Sequence, residues 1–269
     1  MNQRICNIFF FIPFCYTYVT RLRTVPKAIS MIIFYFVPVC ILLHFQQPDI
    51  SWPRLLLLAV FAILGVQTVY EIGYIQNDTE TIKLEKHPTM RLSAQQLEFY
   101  GQYRVSIYVI RIMLACIFSF ALCFLTGQHG IFCYSLGLIA ILAVYQGYNR
   151  TRSYYTCRPL YFLLVSLRYV GPLLSSPCHL YWNLIIITLM TYPIPKTIML
   201  CFEKDKKYDN TKLANYRVII YLLLLIVGYI LFSIGYFPIS YVYLIMYMLI
   251  YRLIIYVIIK YQFFTNKYL

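Results

Sequence analysis

A chain of 269 residues that is 61% hydrophobic and 12% charged, with a mean hydropathy of +0.69, has more apolar surface than a soluble core of this size can hide. That excludes an ordinary soluble domain. The formal charge of +14, from 23 Lys and Arg against nine Asp and Glu, is first a matter of membrane topology rather than of nucleic-acid binding.

Near the N-terminus, from Cys6, lies CNIFFFIPFCYTYVT, which is apolar but short and is interrupted by Pro13. It has no small-residue cleavage site after the apolar run. It predicts an interfacial helix over residues 1–20, with a ninth span as the alternative. A helix needs about 20 mainly apolar residues to cross the hydrocarbon. Eight stretches meet or approach this: 28–45, 55–75, 105–125, 131–148, 159–176, 179–202, 218–234 and 239–259. Short Gly- and Pro-containing connections, TGQHG, SSPCH and IGYFP, separate several of them. The expectation is an all-α, polytopic bundle of about eight transmembrane helices over residues 1–269, with no repeat and no second domain.

Charge placement orients this bundle. One set of loops holds Arg4, Arg21, Arg23, Lys27, Lys83, Lys86, Arg91 and Arg104. The same set continues with Arg150, Arg152, Arg158, Lys196, Lys204, Lys206, Lys207, Lys212, Arg217, Lys260 and Lys267, whereas the opposite loops hold Arg54 alone. Eight spans with both termini in the cytoplasm account for this asymmetry. Trp52 and Trp182 fall at the outer interface, and the 29 Tyr and 19 Phe suit aromatic belts. The nine cysteines show no CxxC pair or zinc spacing; Cys40, Cys116, Cys123 and Cys201 lie inside apolar runs, as small buried hydrophobes do.

The carboxylates are the informative residues. Asp78, Glu80, Glu85 and Glu98 follow the second span, and Glu203, Asp205 and Asp209 follow the sixth, so seven of the nine face the same side. The topology rule concerns Lys and Arg and does not explain this. Carboxylate and amide oxygens are the ligands that Mg²⁺ prefers, alongside water and substrate phosphate. Asn77, Asp78, Glu80 and Glu85 can supply one such ion; Asp205 and Asp209, four residues apart, can assist it or hold a second. Lys83, Lys86, Arg91, Lys204, Lys206 and Lys207 surround them. Acids for a metal interleaved with bases for phosphate suggest a diphosphate-bearing substrate. Glu71 lies on the same helical face as Asp78, either beside the metal or paired with Arg111 or Arg168.

The stretch IQNDTETIKLEKHPTMRL resembles the first acidic motif of the UbiA superfamily of intramembrane prenyltransferases, with Asn77-Asp78 at its start and Glu85 at its last acidic place. Asp205-xxx-Asp209, after the sixth span, is similar to the family's second motif. His87-Pro88-Thr89-Met90-Arg91 looks like a trimmed form of the His-Pro and basic cluster of the polyprenyl-phosphate phosphoribosyltransferase branch. YNRTRSYYTCRPLYFLLVSLRYVG is similar to that branch's exit from span four and its Leu-Arg-x-x-Gly, with Arg168 as the Arg. The pattern departs at Thr81, where the family has an acid, and near Pro159, where an expected Asp is missing. Eight spans are seen where nine are usual.

The resemblance implies a cavity open to the cytoplasm and the bilayer, in the inner membrane of a bacterium. It implies Mg²⁺-dependent transfer of phosphoribose from 5-phosphoribosyl 1-diphosphate to a polyprenyl phosphate such as undecaprenyl phosphate, in service of cell-surface polysaccharide synthesis. Asp78, Glu85 and Arg168 would carry catalysis. Lys83, Lys86, His87, Arg91, Lys204 and Lys207 would hold the donor, and Arg150, Arg152 or Arg168 the lipid phosphate. Two other readings remain open: prenyl transfer from a polyprenyl diphosphate to an aromatic acceptor, and a non-enzymatic flippase or transporter of lipid-linked sugars.

Overall fold

The structure is a computed structural model that describes residues 5–84, 88–151, 154–176, 182–203 and 209–261. These residues form helices and turns, with no strand among them. The helices are α1 (Val25–Gln46), α2 (Trp52–Thr79), α3 (Ala94–Thr126), α4 (Gln128–Arg150), α5 (Tyr154–Val170), α6 (Trp182–Thr191), α7 (Pro193–Glu203), α8 (Asn210–Ser233) and α9 (Ile239–Lys260). Seven described segments are long and apolar enough to cross a membrane: α1, α2, α3, Gly130–Arg150, Trp182–Leu200, α8 and α9. The protein is a polytopic helical membrane protein.

The predicted span at 159–176 takes a different form. Helix α5 has 17 residues and then tightens into a 3₁₀ turn, Gly171–Ser175, where Pro172 cannot donate to a continuing α-helix. The segment still reaches the opposite end of the bundle. Gln47, just past α1, donates to Ser176 Oγ at 2.6 Å, and the backbone of Ser175 lies against Gly130 at the start of α4. Among the described residues, eight segments therefore run between the two ends of the bundle, seven of them long and apolar enough to cross a membrane. One end collects Gln47, Arg54, Gly127 and Gly235. The other, the basic end, carries Arg21, Asp78, Arg91, Arg150 and Lys260.

Helix α2 is the axis. Pro53 occupies its first turn, where its missing N–H costs nothing, and the helix runs 28 residues, about 42 Å at 1.5 Å per residue. That exceeds the roughly 30 Å hydrocarbon core, so its last turns, with Asn77 and Asp78, extend toward the basic end. Its hydrophobic window is 72% buried, against 11% for α8. Close packing on α4 depends on two glycines: a Cβ at Gly65 would strike the Tyr134 hydroxyl, and one at Gly73 the Tyr145 ring. Tyr134 Oη donates to the Ala62 carbonyl at 2.7 Å, and Asn149 Nδ2 to the Gly73 carbonyl at 2.9 Å.

Helix α3 begins with a reciprocal cap: Ser93 Oγ accepts from the Gln96 N–H, and Gln96 Oε1 from the Ser93 N–H. It ends at Gly127, whose φ of 82° suits a residue without Cβ. In α1 the backbone loosens to a π turn over Ile32–Phe36; Pro38, one turn on, has no N–H to return to Phe34. Helices α8 and α9 form a hairpin that leans on the rest mainly through α6, α7 and α1.

The N-terminal segment, expected as one interfacial helix over residues 1–20, is broken from residue 5 on into a 3₁₀ turn (Ile5–Phe10), a single α turn (Cys15–Thr17) and a π turn (Tyr18–Leu22), with one side packed against α2 and α3 and Ile8, Ile12, Tyr18 and Val19 exposed on the other. Phe10 and Tyr16 are fully buried. Irregular backbone at this depth needs partners within the protein. Glu71 and Arg111 supply them, as described next.

Candidate anion-binding sites at the basic end

The network starts deep in the bundle. Arg111 of α3 and Glu71 of α2, both completely buried, pair at 2.9 Å. Arg111 Nε also donates to the Phe10 carbonyl at 2.7 Å. Glu71 accepts from the backbone N–H of Thr17 at 2.7 Å and of Phe14 at 3.2 Å. Phe14 has a φ of 68°, a left-handed conformation that costs of order 1–3 kcal/mol in a non-glycine residue and that turns its N–H onto the carboxylate. Of the alternatives left open for Glu71, the structure gives the pair with Arg111. One turn away, Gln67 donates to Thr17 Oγ1 at 2.7 Å and accepts from Arg168 Nη2 at 3.1 Å. The Arg168 guanidinium lies over the rings of Tyr35 and Tyr70, 4.8 and 4.9 Å from their centroids.

Asp78 lies nearer the end of α2. Arg21 grips it with two bonds, Nη1 to Oδ2 at 2.7 Å and Nη2 to Oδ1 at 3.1 Å. Arg91 Nη1 donates to Oδ1 at 3.2 Å, and the Tyr16 hydroxyl to Oδ2 at 2.9 Å. The Arg21 guanidinium also stacks 3.8 Å from the Tyr74 ring centroid. Burial, and then the Asp78 charge, push the Tyr16 phenol well above its ordinary range, so it stays a donor. Burial works against the Arg21 charge, but the hydrogen bond and charge of Asp78 outweigh it and hold the guanidinium above its ordinary range.

The other predicted ligands are placed apart. Asn77 lies beside Asp78, its amide 3.5 Å from Oδ1, and accepts from the Thr81 hydroxyl at 3.4 Å. Glu80 turns to α3, where Tyr100 and Tyr108 donate to it and Arg104 pairs with it at 3.0 Å. Asp209 caps α8, accepting from the Lys212 N–H at 2.7 Å. Arg168 meets α2 at Gln67, eleven residues from Asp78 and so about 16 Å along the helix axis. Lys83 and Arg150 are exposed at the basic end. Glu85, Lys86, His87, Arg152, Lys204, Asp205 and Lys207 lie outside the described residues.

The described side chains do not by themselves form the expected Mg²⁺ site, and Glu85 and Asp205, two of its expected ligands, lie outside them. Among the described residues no three His, Cys, Asp or Glu converge. Both oxygens of Asp78 are occupied, and two guanidiniums against one carboxylate leave a net positive charge, which repels a divalent cation. The arrangement suits an anion instead. Asp78 holds Arg21 and Arg91 side by side, and their side chains remain 19% and 29% exposed.

A second basic region lies between α1, α8 and α9. A cavity of about 1060 Å³ opens there, lined by Lys27, Asp209, Arg217, Arg252 and a wall of isoleucines from α1 and α9. Its back is closed by bonds from Tyr247 to the Ile33 carbonyl, at 2.8 Å, and between the Ser30 and Tyr251 hydroxyls. Loop charges indicated Lys27 and Arg217. Arg252 was missed; its signal is an ionisable residue in the apolar run LIYRLIIYV, which is costly in a span unless it faces the protein interior.

Comparisons of the chain with protein-family models, with curated proteins and with solved structures return no match.

Proposed function

We propose that this protein is a membrane-embedded transferase that moves phosphoribose from 5-phosphoribosyl 1-diphosphate to a polyprenyl phosphate such as undecaprenyl phosphate. The observation that carries the reading is the pair of arginines on Asp78. Two guanidiniums fixed by one carboxylate and partly open to solvent suit the diphosphate of the donor. The acceptor phosphate is already anionic at neutral pH and needs no strong base. Its oxygen attacks the anomeric carbon, the bond from that carbon to the diphosphate oxygen breaks, and diphosphate leaves with the electron pair. Arg21 and Arg91 stabilise the departing charge; Asp78 and Tyr16 keep Arg21 in place. The resemblance of residues 75–92 to the UbiA motif supports the choice of donor. The Mg²⁺ expected with that motif would depend on Glu85 and Asp205. The positive-inside pattern supports cytoplasmic termini and a cytoplasmic site in a bacterial inner membrane.

The test uses membranes containing the protein, donor labelled in the ribose, and undecaprenyl phosphate. Label should move into the organic-extractable lipid, and Arg91→Ala should lower this by at least about tenfold. Label that stays aqueous at every donor and lipid concentration contradicts the reading. One observation favours a second function, a non-catalytic carrier of lipid phosphates: Glu71, Asp78 and Glu80 are each engaged by a cation within the chain. A carrier would move the lipid between leaflets with no dependence on the donor.

A further inference from the structure

We propose that the cavity between α1, α8 and α9 is a binding site for a lipid with a phosphomonoester head group and a long apolar tail. It goes beyond the transfer reading: this is a lipid site apart from the Asp78 cluster, and binding there is measurable without any donor.

Charge, depth and wall chemistry support this occupant. Among the described lining residues three cations, Lys27, Arg217 and Arg252, face one carboxylate, Asp209, a net of two positive charges. A phosphomonoester carries about −1.5 to −2 at neutral pH, whereas the phosphodiester of a common phospholipid carries one negative charge. Asp209 already caps α8, which leaves the cations as the recognition elements. Lys27 is exposed near the start of α1, at the basic end. Arg252 lies eight residues before Lys260, about 12 Å into the bundle from that end of α9. Its Nε is buried with no hydrogen-bond partner, and its guanidinium is 4.2 Å from the Phe34 ring centroid and 5.3 Å from that of Tyr251. The guanidinium also meets the Tyr221 hydroxyl, so Nε is the donor left over, and an ionisable residue inside a span is a functional-site candidate. A smaller pocket of about 180 Å³ adjoins the first, sharing Arg217 and Arg252 and adding Lys196.

The remaining wall is hydrocarbon. Ile29, Ile250 and Ile254 are each about half exposed, so the cavity continues into the apolar surface that faces lipid. Its volume of about 1060 Å³ just exceeds the roughly 300–1,000 Å³ typical of small-molecule sites. A free sugar phosphate would leave that wall wet. A lipid phosphate gives the Arg252 Nε an acceptor and covers the isoleucines together.

The experiment titrates the purified full chain in detergent with undecaprenyl phosphate, undecaprenol or phosphatidylglycerol and counts bound lipid by native mass spectrometry. Undecaprenyl phosphate should bind at least about tenfold tighter than either competitor, and Arg252→Gln and Arg217→Gln should each remove most of that preference. Lys27→Gln, at an exposed position that folding does not need, should weaken it by a smaller factor, and Arg104→Gln should leave it unchanged. Equal binding of undecaprenol, preferred binding of phosphatidylglycerol, or unchanged binding in Lys27→Gln and both arginine variants would overturn the site. Intact binding without transfer of label would remove the proposed reaction and leave the site standing.

Discussion

The two basic regions at the same end of the bundle use arginine in opposite ways. Between the N-terminal segment, α2 and α3, the charges are closed on one another: Glu71 on Arg111, Asp78 on Arg21 and Arg91, and Glu80 on Arg104. Between α1, α8 and α9, cations outnumber the one carboxylate, and Arg252 keeps a buried donor without a partner. A balanced buried charge organises the chain around it, whereas an unbalanced one has interaction energy left for a ligand. The contrast also grades the first region. The Glu71 pair is sealed, but the Asp78 cluster retains exposed guanidinium surface, so only the latter can serve both folding and binding.

The largest effect should come from breaking the sealed pair. Arg111→Ala leaves Glu71 buried and uncompensated and frees the Phe10 carbonyl, which should destabilise the fold by about 3–5 kcal/mol. Thermal unfolding in detergent, or loss of folded protein from membranes, checks this. Asp78→Asn comes next. It leaves Arg21 and Arg91 without their anion and should loosen the N-terminal segment, costing about 1–3 kcal/mol. Faster hydrogen exchange over residues 9–22, with α8 and α9 unchanged, is the expected signature; uniform exchange across the chain would mean that the cluster does not anchor that segment. Arg252→Gln should shift stability by less than about 1 kcal/mol, because the residue has ring contacts but an unsatisfied Nε, while lipid retention falls. Smallest of all is Glu80→Gln. Arg104 is 56% exposed, so losing that pair should cost about 0–1 kcal/mol and should fade further in high salt.

Hydropathy and the Lys and Arg count were enough for the helical membrane fold, because both follow directly from solvation in a bilayer. They also located most of the passes, including the one ending at Ser176, although Pro172 shortens its α-helical part. Asp78 and Arg91 stood out in a short stretch of mixed charge, but for separate roles, on a metal and on a phosphate; their direct pairing comes from the structure. Arg21 did not stand out as a partner of Asp78, since nothing local in CNIFFFIPFCYTYVT announces that Glu71 and Arg111, far along the chain, will satisfy its backbone inside the bundle. Acids were read by type and spacing alone; the structure adds the cations that reach Glu71, Asp78 and Glu80 from other elements. Arg252 escaped notice for a related reason: orientation rules count charges in loops, and this one sits within a span.

Photolabelling tests the contrast between the two regions most directly. A polyprenyl phosphate carrying a photoreactive group near its head would be bound to the intact protein, irradiated, and the modified peptides identified. Labels should map to α1, α8 and α9 around Ile29, Arg217 and Ile254, and should disappear in Arg252→Gln. Labels concentrated instead on residues 9–16 or on the α2 and α3 segments that pack against them would mean that the closed network is the lipid site, and would contradict the account.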